Sequence, residues 1–578
     1  MRTVLVANRG EIAVRVVRAC RELGLRSVAV YSDADAAALH VRMADEAHRI
    51  GPAQARRSYL DVDAVLRAAK AAGADAVHPG YGLLSEDAGF AEAVLGAGLV
   101  FVGPSPQVIA TMGDKVAARA IAVECGVPVP PGTGDLAAVD AAAAASEVGY
   151  PLVVKASFGG GGRGMRVVTS PERLDEALAA AGREAMAAFG RAEVHLERYL
   201  ERPRHVEVQI LGDAHGTIVH LGDRDCSAQR RHQKLIEEAP AVGLSPDLRR
   251  ALTDAALTIA RRVGYVGAGT VEFLVLPATG EFFFLEMNTR LQVEHGVTEL
   301  VTGVDIVATQ LRVADGEPLP FGQYDVVLRG HAVEVRIAAE DPWEGFRPAP
   351  GRIAALALPQ GPGIRNDVGV EAGDTVAAEY DSMIGKVLAL GTDRDAARRR
   401  LVAALDELRV EGVPTTAPYL RTVLVSDAFV AGTHDTGSVE RDWTPDPTDR
   451  PPAAAPVAAG APVRRVRIMS DRGPVDVAVH GRAPRYAAPA GARPARGHSA
   501  PTSAAATGGL PVSPMDATVV AVSVEVGQEV VAGDVVAVLE AMKMEMEIRI
   551  EVAGTVTRVL VVPGASVTAG SPLVELTR

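Results

Sequence analysis

The chain has 578 residues, too many for one hydrophobic core and suggestive of about four domains of roughly 150 residues each. Lysine and arginine number 59 against 72 acidic residues, a net charge of −13 that offers no electrostatic footprint for nucleic acid. No run of about 18 apolar residues argues for a membrane span. The three scattered cysteines, Cys20, Cys125 and Cys226, lack a CxxC pair, which argues against a disulfide framework or zinc site and fits a reducing cytoplasm.

The opening "MRTVLVANRGEIAV" is too short in its apolar run for a signal peptide and reads directly as a strand. "TVLVA", then Ile12, Val16, Ala19 and Leu23 at helical spacing, then "SVAVYS" form a strand–helix–strand unit of a parallel α/β domain, expected over 1–114. The linking "NRGEIA" has one glycine, so the dinucleotide fingerprint is absent. From 115 to 325 the pattern turns to glycines and antiparallel-looking strands, and 326–442 reads as a mixed α+β unit.

In "YPLVVKASFGGGGRGMRVV" a strand carries Lys155 and is followed by Gly159, Gly160, Gly161, Gly162 and Gly164. The lysine precedes the glycines, so this is not a Walker A loop. Glycines let a backbone present several N–H donors close to phosphate, while the lysine supplies charge. A flexible hairpin is the bland alternative, as a surface lysine is for Lys115 of "MGDK". Next, "LGDRDCSAQRRHQKLIEEAP" gathers Arg224, Gln229, Arg230, Arg231, His232 and Lys234, either a solvated loop or a face toward an anion.

"GTVEFLVLPATGEFFFLEMNTRLQVEH" is the strongest constellation. With "PATGE" as the turn, 276 falls opposite 282 and Glu272 opposite Glu286. Like charges so placed are unfavourable, and a divalent cation with oxygen ligands removes the conflict. If the strand continues, Asn288, Arg290, Gln292 and Glu294 share its face. A solvated edge would give the same alternation.

Composition then shifts to Pro/Ala-rich sequence, "TPDPTDRPPAAAPVAAGAP", at the start of a linker expected over 443–510. It is interrupted by two strand-like pieces, "VRRVRIMS" and "PVDVAVHG", where a reduced tethering domain is conceivable. Residues 482–509, with four arginines and no acid, would span roughly 30 Å as a flexible chain. The final all-β segment, 511–578, holds an internal repeat: residues 518–540 align without gaps on 555–577, with nine identities. Neither half could bury its apolar face alone, so the two should form a flattened barrel with Lys543 of "EAMKME" at the tip of the connecting hairpin.

Taken in order, "ANRGEIA", "HPGYGLLSE", "MGDK", "KASFGGGGRGM", "ERYLERPRHVEVQ", "RDCSAQRRHQK", "EMNTRLQVEH", "EVRIAAEDP" and "YDSMIGK" resemble the biotin carboxylase branch of the ATP-grasp enzymes over residues 1–440. "EAMKME" within a β repeat resembles the biotin-carrier motif. The whole looks like the α chain of an acyl-CoA carboxylase.

That resemblance implies the following roles. Lys115, Lys155 and the glycines 159–164 hold ATP phosphates, His205, Gln229 and His232 line the nucleotide site, and Glu197 and Leu200 meet the adenine. Glu272, Glu286 and Asn288 bind Mg²⁺ or Mn²⁺; Lys234, Arg290, Gln292 and Val293 hold bicarbonate. Glu294 is the base, with Lys234 and Arg290 also catalytic; Arg336 stabilises the biotin enolate, and biotin is attached to Lys543. A separate carboxyltransferase β subunit is expected, since the chain ends after the carrier, together with a biotin protein ligase and a homodimer or larger α/β assembly. Acetyl- or propionyl-CoA is the expected acceptor, with methylcrotonyl-CoA or a longer acyl-CoA as the alternative. A lipoyl-type scaffold is the rival from another class, but its hairpins typically carry "DKA" rather than "MKM". A different ATP-grasp ligase is disfavoured by the carrier. The chain departs from the family at Gly296, where proline is usual, and at Asp516–Ala517, where proline–glycine is usual.

Overall fold

The computed structural model describes residues 1–133, 140–157, 165–189, 191–451, 464–470, 473–479, 511–515, 517–541, 544–568 and 570–577. The glycines Gly159 to Gly164, the stretch 482–509, Asp516 and Lys543 lie outside the described residues.

Strands β1 (Thr3–Val6), β2 (Arg26–Ser32), β3 (Glu46–Gly51), β4 (Ala76–His78) and β5 (Val100–Phe101) form one parallel sheet in the order β3-β2-β1-β4-β5. Val4, Leu5 and Val6 are all fully buried, as expected of a central parallel strand covered on both faces. Helix α1 (Gly10–Glu22) buries Ile12, Val16 and Ala19, the helical stripe read from the sequence, and Leu23 caps its end.

A three-stranded sheet joins β6 (Leu152–Ala156), β7 (Arg166–Val168) and β8 (Val194–Arg198), with β6 central. An eight-stranded sheet contains β9 (Arg204–Gly212), β10 (Ile218–Arg230), β11 (Gln233–Ala239), β12 (Gly267–Val275), β13 (Phe282–Asn288) and β14 (His331–Ala338). Its order is β13-β12-β9-β10-β11-β14, followed by strands Met383–Gly391 and Ile364–Val368. The sheet therefore crosses the expected boundary at 325/326, because β11 hydrogen-bonds directly to β14. The next expected boundary also softens: Trp443 joins the core, and Arg450 pairs with Asp341 at 2.7 Å.

The β12–β13 hairpin corrects the expected register. Near its turn Val275 faces Phe282, one residue out from the 276/282 pairing, and an irregularity between Glu272 and Phe273 then brings Glu272 opposite Glu286. The strand also ends at Asn288 rather than running to Glu294. Thr289 N–H donates to Glu86 instead of a neighbouring strand, and Glu294 becomes the N-cap position of helix His295–Thr302. Residues 289–294 are thus neither a strand face nor a solvated edge; Thr289, Leu291, Gln292 and Glu294 are all buried.

Between the two bodies, Arg464–Ser470 and Gly473–Val479 pair antiparallel, as their strand-like composition suggests. In the C-terminal domain the repeat becomes visible as hydrogen bonds. Gly527 N–H donates to Val556 O and Gly564 N–H to Val519 O, two bonds related by the repeat offset and each joining one half to the other. Two small cores result: Val524, Val530 and Val536 pack with Val556 of the other half, and Val561, Val567 and Leu573 pack with Val519. Each half is folded on its partner, which is why neither would be stable alone. Ala541 pairs with Met544, so Met542 and Lys543 are the residues between those strands.

Candidate active site

Four charged residues stand abreast across four strands of the large sheet: Arg224 on β10, Glu207 on β9, Glu272 on β12 and Glu286 on β13. Lys234, which faces Gln229 across the β10–β11 hairpin, extends over this row. Its Nζ lies 2.5 Å from Glu207, 2.8 Å from Glu272 and 2.7 Å from Glu294. Burial alone would lower the lysine, but the three carboxylates raise it well above its ordinary value. Arg224, fully buried, closes the row by donating to Glu207 Oε1 at 2.5 Å.

Glu294 is fully buried and bridges two cations, with Lys234 on Oε1 and Arg336 Nη2 on Oε2 at 3.0 Å. Burial pushes its carboxyl up, yet Lys234, Arg336 and Arg224 hold it well below the usual range. Arg336 also donates to Glu237 at 2.6 Å; burial there outweighs the guanidinium and pushes Glu237 up to about 7. Cys226 Sγ faces Glu294 at 3.9 Å, and burial first, then Glu207, raises its thiol well above normal.

Lys234, Glu272, Glu286 and Arg336 of this group face a cavity of about 760 Å³. Lys115, Lys155, Glu197, Leu200, His205, Gln229, His232, Lys234, Glu272, Glu286, Asn288, Arg290, Gln292, Val293 and Arg336 all line it. Glu294 does not; it lies one layer deeper, behind Lys234 and Arg336. Glu197 is not a free contact, since its carboxylate pairs with Lys155 and with Arg119 at 3.3 Å. Burial raises it, but Lys155 and His195 together hold it below the ordinary range. Arg231 and His232, at φ 46 and 66, are the two residues of the tight turn between Arg230 and Gln233, where a two-residue hairpin favours positive φ at both positions. Val153, Met165, Leu274 and Leu285 add apolar wall suited to a flat heterocycle and were not among the expected residues.

Arg290 is held by four hydrogen bonds. It donates to Glu86 at 2.7 Å, Asn288 at 2.8 Å, Gln292 at 3.2 Å and Leu291 O at 3.3 Å. The expected metal set fits an all-oxygen hard cation. Among the described residues nothing donates to the Glu286 carboxylate. The other two oxygens are already held, Asn288 Oδ1 by Arg290 and Glu272 by Lys234 and Gln292, with His205 Nε2 2.9 Å from Glu272. His205, Glu207 and Glu272 also cluster within metal-binding distance, but the cation among them is the Lys234 ammonium.

Several residues of the site escaped the sequence reading: Glu207, Glu237, Glu86, Lys386 and the apolar wall. For Glu207 a signal existed. His205, Glu207 and Gln209 alternate in "RHVEVQILG", so an otherwise apolar strand carries one polar face. "VEVRI" repeats that pattern with Glu334 and Arg336.

Family models match this chain in chain order. "Biotin carboxylase, N-terminal domain" covers 1–109, "Carbamoyl-phosphate synthase L chain, ATP binding domain" 114–321, "Biotin carboxylase C-terminal domain" 334–441 and "Biotin-requiring enzyme" 512–576. The chain is 45% identical over 600 aligned residues, 99% of its length and 98% of the relative's, to the biotin-dependent acyl-coenzyme A carboxylase alpha3 subunit of Mycobacterium leprae. It is 49% identical, over 76% of its length and 60% of the relative's, to the mitochondrial methylcrotonoyl-CoA carboxylase subunit alpha of Oryza sativa. Among solved structures, the biotin carboxylase domain dimer of Hydrogenobacter thermophilus 2-oxoglutarate carboxylase, in complex with MgADP, ADP and bicarbonate, matches with TM-score 0.74 at 44% identity. That match covers 76% of this chain and 97% of the other. With four family models matched in chain order and a relative 45% identical along nearly its whole length, the chain belongs to the α subunits of biotin-dependent acyl-CoA carboxylases: an ATP-dependent biotin carboxylase that uses Mg²⁺ and carries its own biotinyl domain.

Proposed function

We propose that this α subunit carboxylates biotin on its own Lys543 and delivers the carboxyl group to acetyl- or propionyl-CoA on a separate carboxyltransferase β subunit. The observation that carries the reading is the buried Glu294 carboxylate bridging Lys234 and Arg336 one layer beneath the cavity lining. Lys115, Lys155 and the glycines 159–164 hold the ATP phosphates; Leu200, Glu197, His205, Gln229 and His232 surround the rest of the nucleotide. Magnesium would be held by Glu272, Glu286 and Asn288, where it neutralises phosphate charge.

Lys234, Arg290, Gln292 and Val293 hold bicarbonate, and Glu294 takes its proton. The oxyanion so formed attacks the γ-phosphorus of ATP, breaking the bond to ADP and forming carboxyphosphate. Two cations now hold Glu294 as a weakly basic anion. A bicarbonate that draws Lys234 toward itself removes one of them, and burial then favours proton uptake. Carboxyphosphate splits into carbon dioxide and phosphate; biotin would supply the ureido nitrogen that takes up the carbon dioxide as its N–H proton passes to that phosphate, and Arg336 would stabilise negative charge at the ureido oxygen.

A biotin protein ligase would load Lys543, and the subunit would pair through its carboxylase body or assemble further with β subunits. Methylcrotonyl-CoA is the second reading, supported by likeness to the rice relative. The test combines intact mass after co-expression with biotin ligase and bicarbonate-dependent ATPase with free biotin. An unmodified Lys543 together with no ATPase response would sink the carboxylase reading. Comparing acyl-CoAs with the purified β subunit then distinguishes the acceptors.

A further inference from the structure

Residues Leu291 to Glu294 carry much of the bicarbonate chemistry proposed above, yet no strand holds them. Two carbonyls of this loop are gripped from behind. Gln292 O lies 2.8 Å from His295 Nδ1, and Val293 O accepts from Lys386 Nζ. A carbonyl cannot donate, so Nδ1 carries the proton. The other nitrogen, Nε2, is buried without a hydrogen-bond partner, 3.9 Å from the Glu299 carboxylate. Burial first, then Lys386, Arg365 and Arg15, keeps the ring neutral.

Lys386 and His295 are both fully buried. Lys386 lies on strand Met383–Gly391, directly opposite Arg336 on one side and Asp367 on the other. Its ammonium is 3.4 Å from Glu11, 3.9 Å from Asp367 and 4.0 Å from Glu334, so the charge is compensated without contact with substrate. Glu11 in turn accepts from the Tyr81 hydroxyl, tying the N-terminal domain to this point.

In a trans peptide the C=O and N–H point in opposite directions. His295, by drawing Gln292 C=O inward, turns the Val293 N–H the other way, and Val293 lines the cavity. Lys386 does the same for the next peptide, the one that enters Glu294. We propose that His295 and Lys386 are positioning residues, which orient the two peptides around Val293 so that its N–H and the Glu294 carboxylate meet bicarbonate together. The inference rests on the assignment of bicarbonate to Val293 and Glu294.

The test uses the full-length chain and measures KM for bicarbonate and for ATP separately in the bicarbonate-dependent ATPase reaction. His295→Asn puts an amide nitrogen near the Nδ1 position, whereas His295→Gln puts it near Nε2. Expected are a bicarbonate KM raised about tenfold or more in His295→Gln, near-wild-type values in His295→Asn, and an ATP KM within about twofold in both. Equal effects of Asn and Gln, or an ATP KM rising in step with bicarbonate, would overturn the proposal. Lys386→Met should raise the bicarbonate KM similarly while preserving the thermal shift induced by MgADP; if it fails to fold, the histidine pair decides alone. A wild-type chain without bicarbonate-dependent ATPase would refute the functional reading instead, so the two failures are distinguishable.

Discussion

Lys234 Nζ lies 2.7 Å from Glu294 Oε1, so the residue that would take a proton from bicarbonate is already paired with a buried cation. Arg336 covers the other oxygen at 3.0 Å. A base held this way would need a substrate that competes for its cations, as the anion bicarbonate would under the function proposed above.

Glu294→Gln should therefore separate binding from chemistry. The amide keeps the side chain's size but cannot accept the proton, and general-base loss typically costs 10²–10⁴-fold. We expect biotin carboxylation to fall by at least about 100-fold while the thermal shift caused by MgADP persists. Wild-type turnover in this variant would eliminate Glu294 as the base.

Removing the cation has a different signature. Lys234→Met leaves Glu207, Glu272 and Glu294 facing one another without their shared ammonium. Breaking a buried ion pair by deleting one partner costs about 3–5 kcal/mol. Denaturant unfolding at neutral pH should show a loss of that order, and part of it should be recovered at lower pH as the carboxylates protonate.

Glu237 gives a pH dependence of fixed sign. Its folded-state value, pushed up to about 7, lies above that of an unfolded glutamate. The protonated acid thus favours folding below about pH 4.5, and this contribution is lost as pH rises through about 7, amounting to up to about 3 kcal/mol. Glu237→Gln should flatten the fall in Tm between pH 5 and pH 8. An unchanged slope would mean that Arg336 keeps Glu237 ionised throughout.

Packing around Gly296 leaves little room for a larger side chain. A Cβ there would meet Leu388 Cδ2 at 2.6 Å and Glu334 Oε2 at 3.1 Å. Overpacking of this kind costs about 1–3 kcal/mol, against a gain of about 0.4–1 kcal/mol from a stiffer unfolded chain. Gly296→Ala should lower stability by about 1 kcal/mol in urea, and trimming Leu388 to valine alongside it should recover part of the loss.

Lys543→Arg tests the carrier apart from the catalyst. The variant should show no biotin adduct by intact mass, yet retain bicarbonate-dependent ATPase with free biotin. Loss of both activities would indicate that the carboxylase body depends on its own carrier.

Much of the architecture could be read locally because its signals are local. The stripe Ile12, Val16, Ala19 identifies α1, and the 37-residue offset between Gly527 and Gly564 reappears as reciprocal hydrogen bonds between the repeat halves. The pairing of Glu272 with Glu286 was anticipated from the turn, although an irregularity at Glu272/Phe273 corrected a register that began one residue out. The continuous polar strand to Glu294 was not correct. Alternation alone does not distinguish a strand from a loop whose polar groups find partners such as Glu86, His295 and Lys386 elsewhere in the chain.

By itself, the sequence determined the order of elements, the repeat, and which residue types could meet phosphate, metal and an anion, because spacing and turn chemistry act over a few residues. Only the tertiary structure decided which charges neutralise which. Lys234 is 60 residues from Glu294, and Lys386 is 93 from Val293, separations across which a side chain's partner is set by strand order and burial. Glu294 is fully buried, so its charge must find partners within the fold, and that requirement, invisible in any short stretch, places it between Lys234 and Arg336.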